Sequence, residues 1–116
     1  MNAVEVYRLE DKEGYGPYRF GGEFFKTLIL DHGSRNMTTH PAPWYDFGRM
    51  PHNYEFFGCD SVESLKDWFG SYWEGLLERG FKVVLYVIPE DDVHHGVSRK
   101  QIMCRTDNAL KEVISS

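Results

Sequence analysis

Histidines and cysteines are the first side chains in this sequence that could do chemistry. The 116 residues include five histidines and two cysteines, the residue types that bind zinc or act as nucleophiles. His94 and His95 are adjacent, so on an extended loop they point apart and do not easily share one ion. His32, His40 and His52 lie in an irregular segment, where their spacing neither supports nor excludes convergence. We predict no metal site.

Thiol chemistry is a second possibility, because a nearby cation or a helix N-terminus stabilises a thiolate. Cys59 lies just before a predicted helix cap, which favours a reactive thiol, whereas Cys104 alternates within a predicted strand and is typical of a core residue. The alternative interpretation of Cys59 is a small buried apolar side chain, and we favour it. Two cysteines do not make a disulfide scaffold, so we expect a reducing cytosol.

Acidic and aromatic side chains offer binding chemistry instead of catalysis. Residues 90–92 are consecutive acids in a charged loop, and such acids are either solvated or hold a basic partner. Aromatic residues crowd the segment 31–58, where they could form core, anchor an interface or stack a base or a nicotinamide ring. Two of them stand between prolines and are the better surface candidates. The predicted binding residues are Trp44, Tyr45, Glu90, Asp91 and Asp92.

The N-terminal half of the chain predicts strands around that irregular segment. Apolar and polar residues from Val4 to Leu9 predict a strand, and 24–30 is aromatic and β-branched enough for a strand or the start of a short helix. A loop as long as 31–58 is uncommon in a compact domain, so it is functional or contains short elements. Phe56 and Phe57 predict a strand that enters the core.

The C-terminal half gives clearer signals. Asp60 or Ser61 caps a predicted helix with apolar residues at helical spacing. Ser71 with Glu74 repeats the capping pattern and predicts a second helix. Residues 81–88 are apolar on both faces, which is typical of a central strand.

The last residues complete the prediction. Residues 101–105 predict a short return strand, and Asp107 caps a predicted final helix with Leu110, Val113 and Ile114 on one face. The order of elements predicts an α+β fold, a single compact domain over 1–116 with a small mixed or antiparallel sheet and two or three helices.

Composition limits the partners. Lys and Arg number 13 against 18 Asp and Glu, for a formal net charge of -5, and nucleic-acid backbones need the opposite balance. No stretch approaches the roughly 18 apolar residues of a membrane span, and we see no apolar region of a signal peptide. An acidic surface either docks on basic grooves or only keeps a domain soluble. We expect neither direct nucleic-acid binding nor membrane insertion.

Three groups of residues together resemble small proteins carried by bacteriophages and prophages: 6–11 with 16–19, 57–58 with 61–65 and 68–69, and 80–86. The resemblance implies a host-takeover or anti-defence factor, such as a small acidic anti-CRISPR inhibitor, that occupies a surface of a larger complex. The implied partner is a bacterial protein or ribonucleoprotein complex with a basic surface. No cofactor is implied, and the oligomeric state stays open.

A fainter similarity is to the order of parts in ADP-ribosyltransferases. Arg8 lies on the first strand, Ser61 at a strand-to-helix junction and Gln101 near a late strand. The resemblance implies NAD as an alternative cofactor, with Arg8 on its phosphates and Ser61 supporting the site. Gln101 stands where that family needs a carboxylate, so the resemblance implies a degenerate site or one used for binding.

Overall fold

The strands and helices are taken from a computed structural model, which describes residues 2–19, 22–32, 40–41, 43–52 and 54–114, without the side chains of Arg19 and Trp44. The strands are β1 (Ala3–Glu10), β2 (Glu55–Gly58), β3 (Lys82–Pro89), β4 (Val93–His95), β5 (Ile102–Arg105) and β6 (Leu110–Val113). The helices are α1 (Glu23–Asp31), α2 (Pro43–Asp46), α3 (Val62–Phe69) and α4 (Trp73–Glu78), with 3-10 turns at Pro17–Arg19, Gly70–Tyr72 and Glu90–Asp92. The predicted α+β class is confirmed.

Two antiparallel three-stranded sheets form the framework, in the orders β1-β3-β6 and β2-β5-β4. β3 is central in the first sheet, as its apolar faces predict, and pairs with β1 from Ala3 opposite Pro89 to Glu10 opposite Lys82. The two sheets meet where Tyr7 and Cys59 exchange backbone hydrogen bonds of 2.8 and 2.9 Å. The prediction of one small sheet is therefore refined to two sheets joined at one bridge.

Apolar side chains cover both faces of the first sheet. Leu9 and Val83 lie on one face and pack against the helices, while Val6 and Val84 lie on the other and pack against β5 of the second sheet. This alternation follows from the two-residue period of a strand. The helices therefore occupy one side of the first sheet, and the second sheet occupies the other.

Helix α3 begins as the sequence predicts. The Ser61 hydroxyl accepts a hydrogen bond of 3.0 Å from the Ser64 backbone N–H, which satisfies a donor that the first turn leaves unpaired. Leu65 and Phe69 are buried on its inner face. The second predicted helix is also present, but α4 starts at Trp73 after a 3-10 turn and has no side-chain cap, so the prediction of Ser71 as its cap is wrong.

The predicted final helix is wrong. Leu110–Val113 form β6, which pairs with Val84–Val87 and gives β3 its second neighbour. Leu110 is 75% exposed and Val113 57% exposed, so their helical spacing does not mark a buried face. A strand at this place satisfies the backbone groups along the free edge of β3, which a helix cannot do.

The structure shows the secondary structure of two segments for which the sequence left alternatives open. Residues 24–30 belong to helix α1, whose Leu28 is fully buried. The segment 31–58 contains the short helix α2 and strand β2, while 33–39, 42 and 53 lie outside the described residues. Phe56 and Phe57 do form a strand, but the buried residues of β2 are Glu55 and Gly58.

Gly58 sets the distance between the two sheets, and its substitution is a direct test of the fold. A Cβ atom there would lie 2.5 Å from Val6 Cγ1 and 2.7 Å from the Tyr7 carbonyl oxygen. We expect Gly58→Ala to lower the free energy of unfolding by about 2–3 kcal/mol, measured by urea denaturation.

The matched control is Gly80→Ala. Gly80 has φ +92 and open space around its missing Cβ, so the alanine meets no neighbour and costs only the strain of a left-handed backbone, about 1 kcal/mol. Equal losses for the two variants would contradict the close approach of β1 and β2.

Candidate functional site

A cavity of about 610 Å³ is lined by residues of β1, β2, α1, α2 and α3 and of the loops beside them. Its volume is that of a typical small-ligand pocket, about 300–1,000 Å³. The lining is mainly apolar, and its aromatic members are Tyr15, Tyr18, Phe56, Phe57, Trp68 and Phe69. We call it the aromatic cavity.

Arg8 is the buried cation of this cavity. Its Nε donates a hydrogen bond of 2.8 Å to the Phe57 carbonyl oxygen, its Nη1 donates to Glu10 Oε2, and its guanidinium lies 4.9 Å from the centre of the Phe56 ring. The Arg8 and Glu10 side chains are only 9% and 1% exposed. Backbone, carboxylate and ring together fix the guanidinium in place.

Glu10 is held by two further groups. The Tyr86 hydroxyl donates a hydrogen bond of 2.7 Å to Glu10 Oε2, and Lys111 Nζ lies 3.1 Å from Glu10 Oε1. Burial, and then the hydrogen bond to Glu10, raises the pKa of Tyr86, and the same carboxylate raises the pKa of Lys111. We call Arg8, Glu10, Tyr86 and Lys111 the Arg8–Glu10 cluster.

Glu55 is a second buried carboxylate beside the cavity, and it is fully paired. Its oxygens accept hydrogen bonds of 2.7 and 2.9 Å from the two terminal nitrogens of Arg49 and one of 2.8 Å from the His52 backbone N–H. The Arg49 hydrogen bonds, with the backbone hydrogen bond of His52, lower the pKa of Glu55 to about 2. The pair therefore presents little net charge to the cavity.

Asp46 fixes the wall that carries α2. Its buried carboxylate accepts hydrogen bonds from the Ser98 backbone N–H at 2.7 Å, the Ser98 hydroxyl at 2.9 Å and the Gln101 amide at 2.9 Å. It packs so closely on Gly96 that a Cβ there would lie 2.2 Å from Asp46 Oδ2. These contacts tie α2 to the loop before β5.

Two histidines meet at another side of the cavity. The His32 and His40 rings stack with centroids 3.8 Å apart, and His40 Nε2 donates to the Trp68 carbonyl oxygen at 2.6 Å. Trp68 Nε1 donates to the Tyr18 hydroxyl, which in turn reaches His32 Nδ1, each at 2.7 Å. Because the Tyr18 oxygen accepts from Trp68, its proton is available for His32 Nδ1, so this arrangement fits a neutral His32.

The sequence-predicted site residues lie in different places. Arg8 and Gln101 both line the aromatic cavity, but the Gln101 amide donates to the Pro41 carbonyl oxygen and to Asp46. Ser61 caps α3 and does not line the cavity. The structure therefore joins two residues of the predicted NAD set and separates the third.

The predicted binding residues are only partly described. Tyr45 is 58% exposed on α2, and the Trp44 side chain lies outside the described residues. Glu90 and Asp91 are exposed and Asp92 is half-buried, all on the 3-10 turn after β3, which we call the acidic turn.

Glu10 and Glu55 are the residues that the sequence reasoning missed. Arg8 and Glu10 stand two apart on a strand, which places both side chains on one face, and this spacing is the signal that could have found the pair. Glu55 gave no such signal, because its partner Arg49 lies in the irregular segment before β2.

Comparison with known proteins places the chain in a phage family. The model of the bacteriophage T4 Y00F protein family matches residues 1–115. The chain belongs to this family. No curated protein and no solved structure matches it. The predicted resemblance to phage proteins is thus confirmed at the level of the family, while the anti-defence role and the similarity to ADP-ribosyltransferases stay predictions.

The thiols of this Y00F-family protein are buried. Burial, and then the nearby Asp60, raises the pKa of Cys59 to about 12, and burial raises the pKa of Cys104 to about 11. Both thiols therefore stay protonated at neutral pH. The favoured interpretation of Cys59 as a small buried side chain agrees with its 3% exposure.

The histidines of the Y00F-family protein do not converge as a set of three. His32 and His40 stack on each other, whereas His52 stacks on Tyr54 with centroids 5.2 Å apart. In the described part of the chain, no group of three His, Cys, Asp or Glu side chains is placed to hold a metal ion. Among the same residues, no helix has the length and apolar character needed to cross a membrane.

His32 should make the stability of the Y00F-family protein depend on pH. Burial, and then the charge of His40, lowers the pKa of His32 from 6.5 to about 4, against an opposing effect of Asp31. Between these pH values the unfolded chain binds a proton that the folded chain does not. The contribution of His32 to the free energy of unfolding is therefore complete above pH 6.5 and is lost as the pH falls to about 4. We expect His32→Gln to flatten this part of the stability profile, measured by urea denaturation across the same range.

The control for this profile is His95→Gln. His95 is exposed on β4, so its replacement leaves the stacked pair intact and the profile should match the wild type. A wild-type slope in His32→Gln would show that another group causes the acid sensitivity.

Proposed function

We propose that this phage protein binds and inhibits a larger host or defence complex, such as a CRISPR–Cas effector, without catalysis. The observation that carries the proposal is a set of exposed large side chains on α2, on β2 and on the segment between them. Tyr45, Met50, Tyr54 and Phe56 are 58%, 59%, 45% and 36% exposed. Large apolar side chains grouped on a surface mark interaction sites, and tyrosines are frequent anchors of protein interfaces.

The acidic turn supports a basic partner. Arg105 connects the two features, because its guanidinium lies 4.6 Å from the centre of the Tyr54 ring. Asp107, and then Asp92 among its neighbours, raises the pKa of Arg105. Arg105 thus contacts Tyr54 directly and also feels the charge of Asp92, so the acidic turn and Tyr54 can face one partner together.

Electrostatics would help such an encounter. The chain carries a formal net charge of -5, and attraction between complementary surfaces accelerates association and falls with added salt. A basic groove that normally holds nucleic acid is the kind of surface that fits. The proposed place of action is therefore the bacterial cytoplasm, where such complexes work.

The state of the nucleophiles supports binding over catalysis. Both cysteines are buried with raised pKa values, and the Ser61 hydroxyl is engaged at the start of α3. Within the described residues, the buried carboxylates of Glu10, Asp46 and Glu55 are each bound to protein partners.

Charge reversal of the acidic turn tests this proposal. The triple variant Glu90→Lys, Asp91→Lys, Asp92→Lys should weaken capture of the partner from bacterial lysate by about tenfold or more and remove the salt dependence of elution. The measurement is affinity capture with stepwise salt elution, followed by mass spectrometry and titration of the purified partner.

A matched control changes the same number of charges elsewhere. Glu63, Asp67 and Glu74 are exposed on α3 and α4, which pack at the Leu9 end of the first sheet, whereas the acidic turn follows its Pro89 end. Reversal of these three acids should leave binding unchanged. Equal binding by both triple variants and wild type would refute the acidic-turn interface.

NAD binding is the second candidate function, favoured because Arg8 and Gln101 line one cavity. A ligand at 100 times its dissociation constant stabilises the folded protein by about 2.7 kcal/mol. We expect NAD to raise the melting temperature under this proposal, and Arg8→Lys to reduce the shift. An unchanged thermal melt with saturating NAD would remove this candidate.

A further inference from the structure

The Arg8–Glu10 cluster contains more positive than negative side chains. Arg8 and Lys111 are both cations, and both contact the single carboxylate of Glu10. Tyr86 adds a hydroxyl that stays neutral at physiological pH, because burial and Glu10 raise its pKa. The cluster therefore holds one net positive charge. Its Arg8 and Glu10 side chains are only 9% and 1% exposed, whereas Lys111 is 46% exposed at the edge of the cluster.

The three guanidinium nitrogens of Arg8 differ in their hydrogen bonds. Nε binds the Phe57 carbonyl oxygen and Nη1 binds Glu10, while Nη2 has no hydrogen-bond partner among the residues that the structure describes. Nη2 lies beside Gly16, where a Cβ atom would be 3.2 Å from it. Arg8 and Gly16 both line the aromatic cavity, so this donor stands at the cavity wall.

The rest of the cavity suits a flat apolar body. Phe56 lies against the Arg8 guanidinium, and Tyr15, Tyr18 and Trp68 are further aromatic lining residues. Among the described lining residues, the other charged side chain is Glu55, which is neutralised by its two hydrogen bonds to Arg49. An anion in the cavity would thus meet the Arg8 guanidinium, whose carboxylate partner Glu10 is shared with Lys111.

We propose that the aromatic cavity binds a small organic anion, a flat ring that carries one anionic group, with that group on Arg8 Nη2 and the ring among the aromatic side chains. A charge-assisted hydrogen bond to a guanidinium is stronger and shorter than a neutral one, and the apolar walls raise its strength by excluding water. The anionic group is a carboxylate or a phosphate, since both accept from the same donor. This inference does not depend on the proposed inhibition of a host complex.

Matched probes test the charge. Titration calorimetry with 1-naphthoate and the neutral 1-naphthamide compares one ring with and without a negative charge. We expect the wild-type protein to bind the anion about tenfold more tightly than the amide. 1-Naphthyl phosphate distinguishes the two possible anionic groups. If it binds more tightly than 1-naphthoate, the natural ligand carries a phosphate, and if it binds more weakly, the ligand carries a carboxylate. Inorganic phosphate alone, without a ring, should bind much more weakly.

Variants assign the effect to Arg8. In Arg8→Gln the preference for 1-naphthoate over 1-naphthamide should fall to within about twofold, because the donor fork and its charge are gone. Arg79→Gln is the matched control, since Arg79 is an exposed arginine that stacks on Phe24 and does not line the cavity. It should bind both probes like the wild type.

Gly16→Ala keeps the proposal testable if Arg8→Gln does not fold. This variant retains every charge of the cluster, but its Cβ would lie 3.2 Å from Nη2, in the space where the anionic group must approach. We expect this variant to lower the affinity for 1-naphthoate by about tenfold and to have a smaller effect on the affinity for 1-naphthamide.

Four results would overturn the proposal. The first three are equal binding of the anion and the amide by wild type, an unchanged preference in both Arg8→Gln and Gly16→Ala, and binding of inorganic phosphate as tight as that of 1-naphthyl phosphate. Absence of binding by every probe would overturn it as well. If the affinity capture finds no host complex but the calorimetry shows the expected preference for the anion, the ligand site stands and the proposed inhibitor function fails.

Discussion

A buried arginine on β1 joins the parts of this protein. Arg8 binds the backbone of β2 through the Phe57 carbonyl oxygen and binds Glu10 on its own strand. Glu10 then contacts Tyr86 on β3 and Lys111 on β6. One charged cluster thus connects the three strands of the first sheet with the first strand of the second. The aromatic cavity opens beside this connection, so its shape depends on the same contacts.

Burial of such a cluster is energetically expensive, because charges that leave water lose their hydration. Removal of one partner from a buried pair leaves a buried charge without compensation, at a loss of about 3–5 kcal/mol. The cluster therefore adds less net stability than its attractions alone would suggest. It also holds a guanidinium in a fixed position beside an apolar space, which reduces the reorganisation that a ligand would need on binding.

In the functions proposed above, the surface around the cavity would bind a protein partner and its interior a small ligand. Phe56 belongs to both, since it is 36% exposed and lies against the Arg8 guanidinium. Tyr54 next to it turns outward, stacked on His52 and covered in part by Arg105. Phe56 lines the cavity and also belongs to the exposed side chains of the proposed interface. A protein partner and a small ligand would therefore meet at one strand.

Local patterns in the sequence determined much of this fold. The alternation of β1, the apolar run of β3 and the Ser61 cap of α3 each depend on neighbours within a few residues, and each predicted its element. The helical spacing of Leu110, Val113 and Ile114 misled, because the free edge of β3 decides the structure of β6. The cavity could not be predicted from the sequence, because it too depends on contacts between distant parts of the chain. Arg8, Phe57 and Gln101 are far apart in the chain, and only the tertiary structure brings them together and leaves one nitrogen of Arg8 without a partner among the described residues.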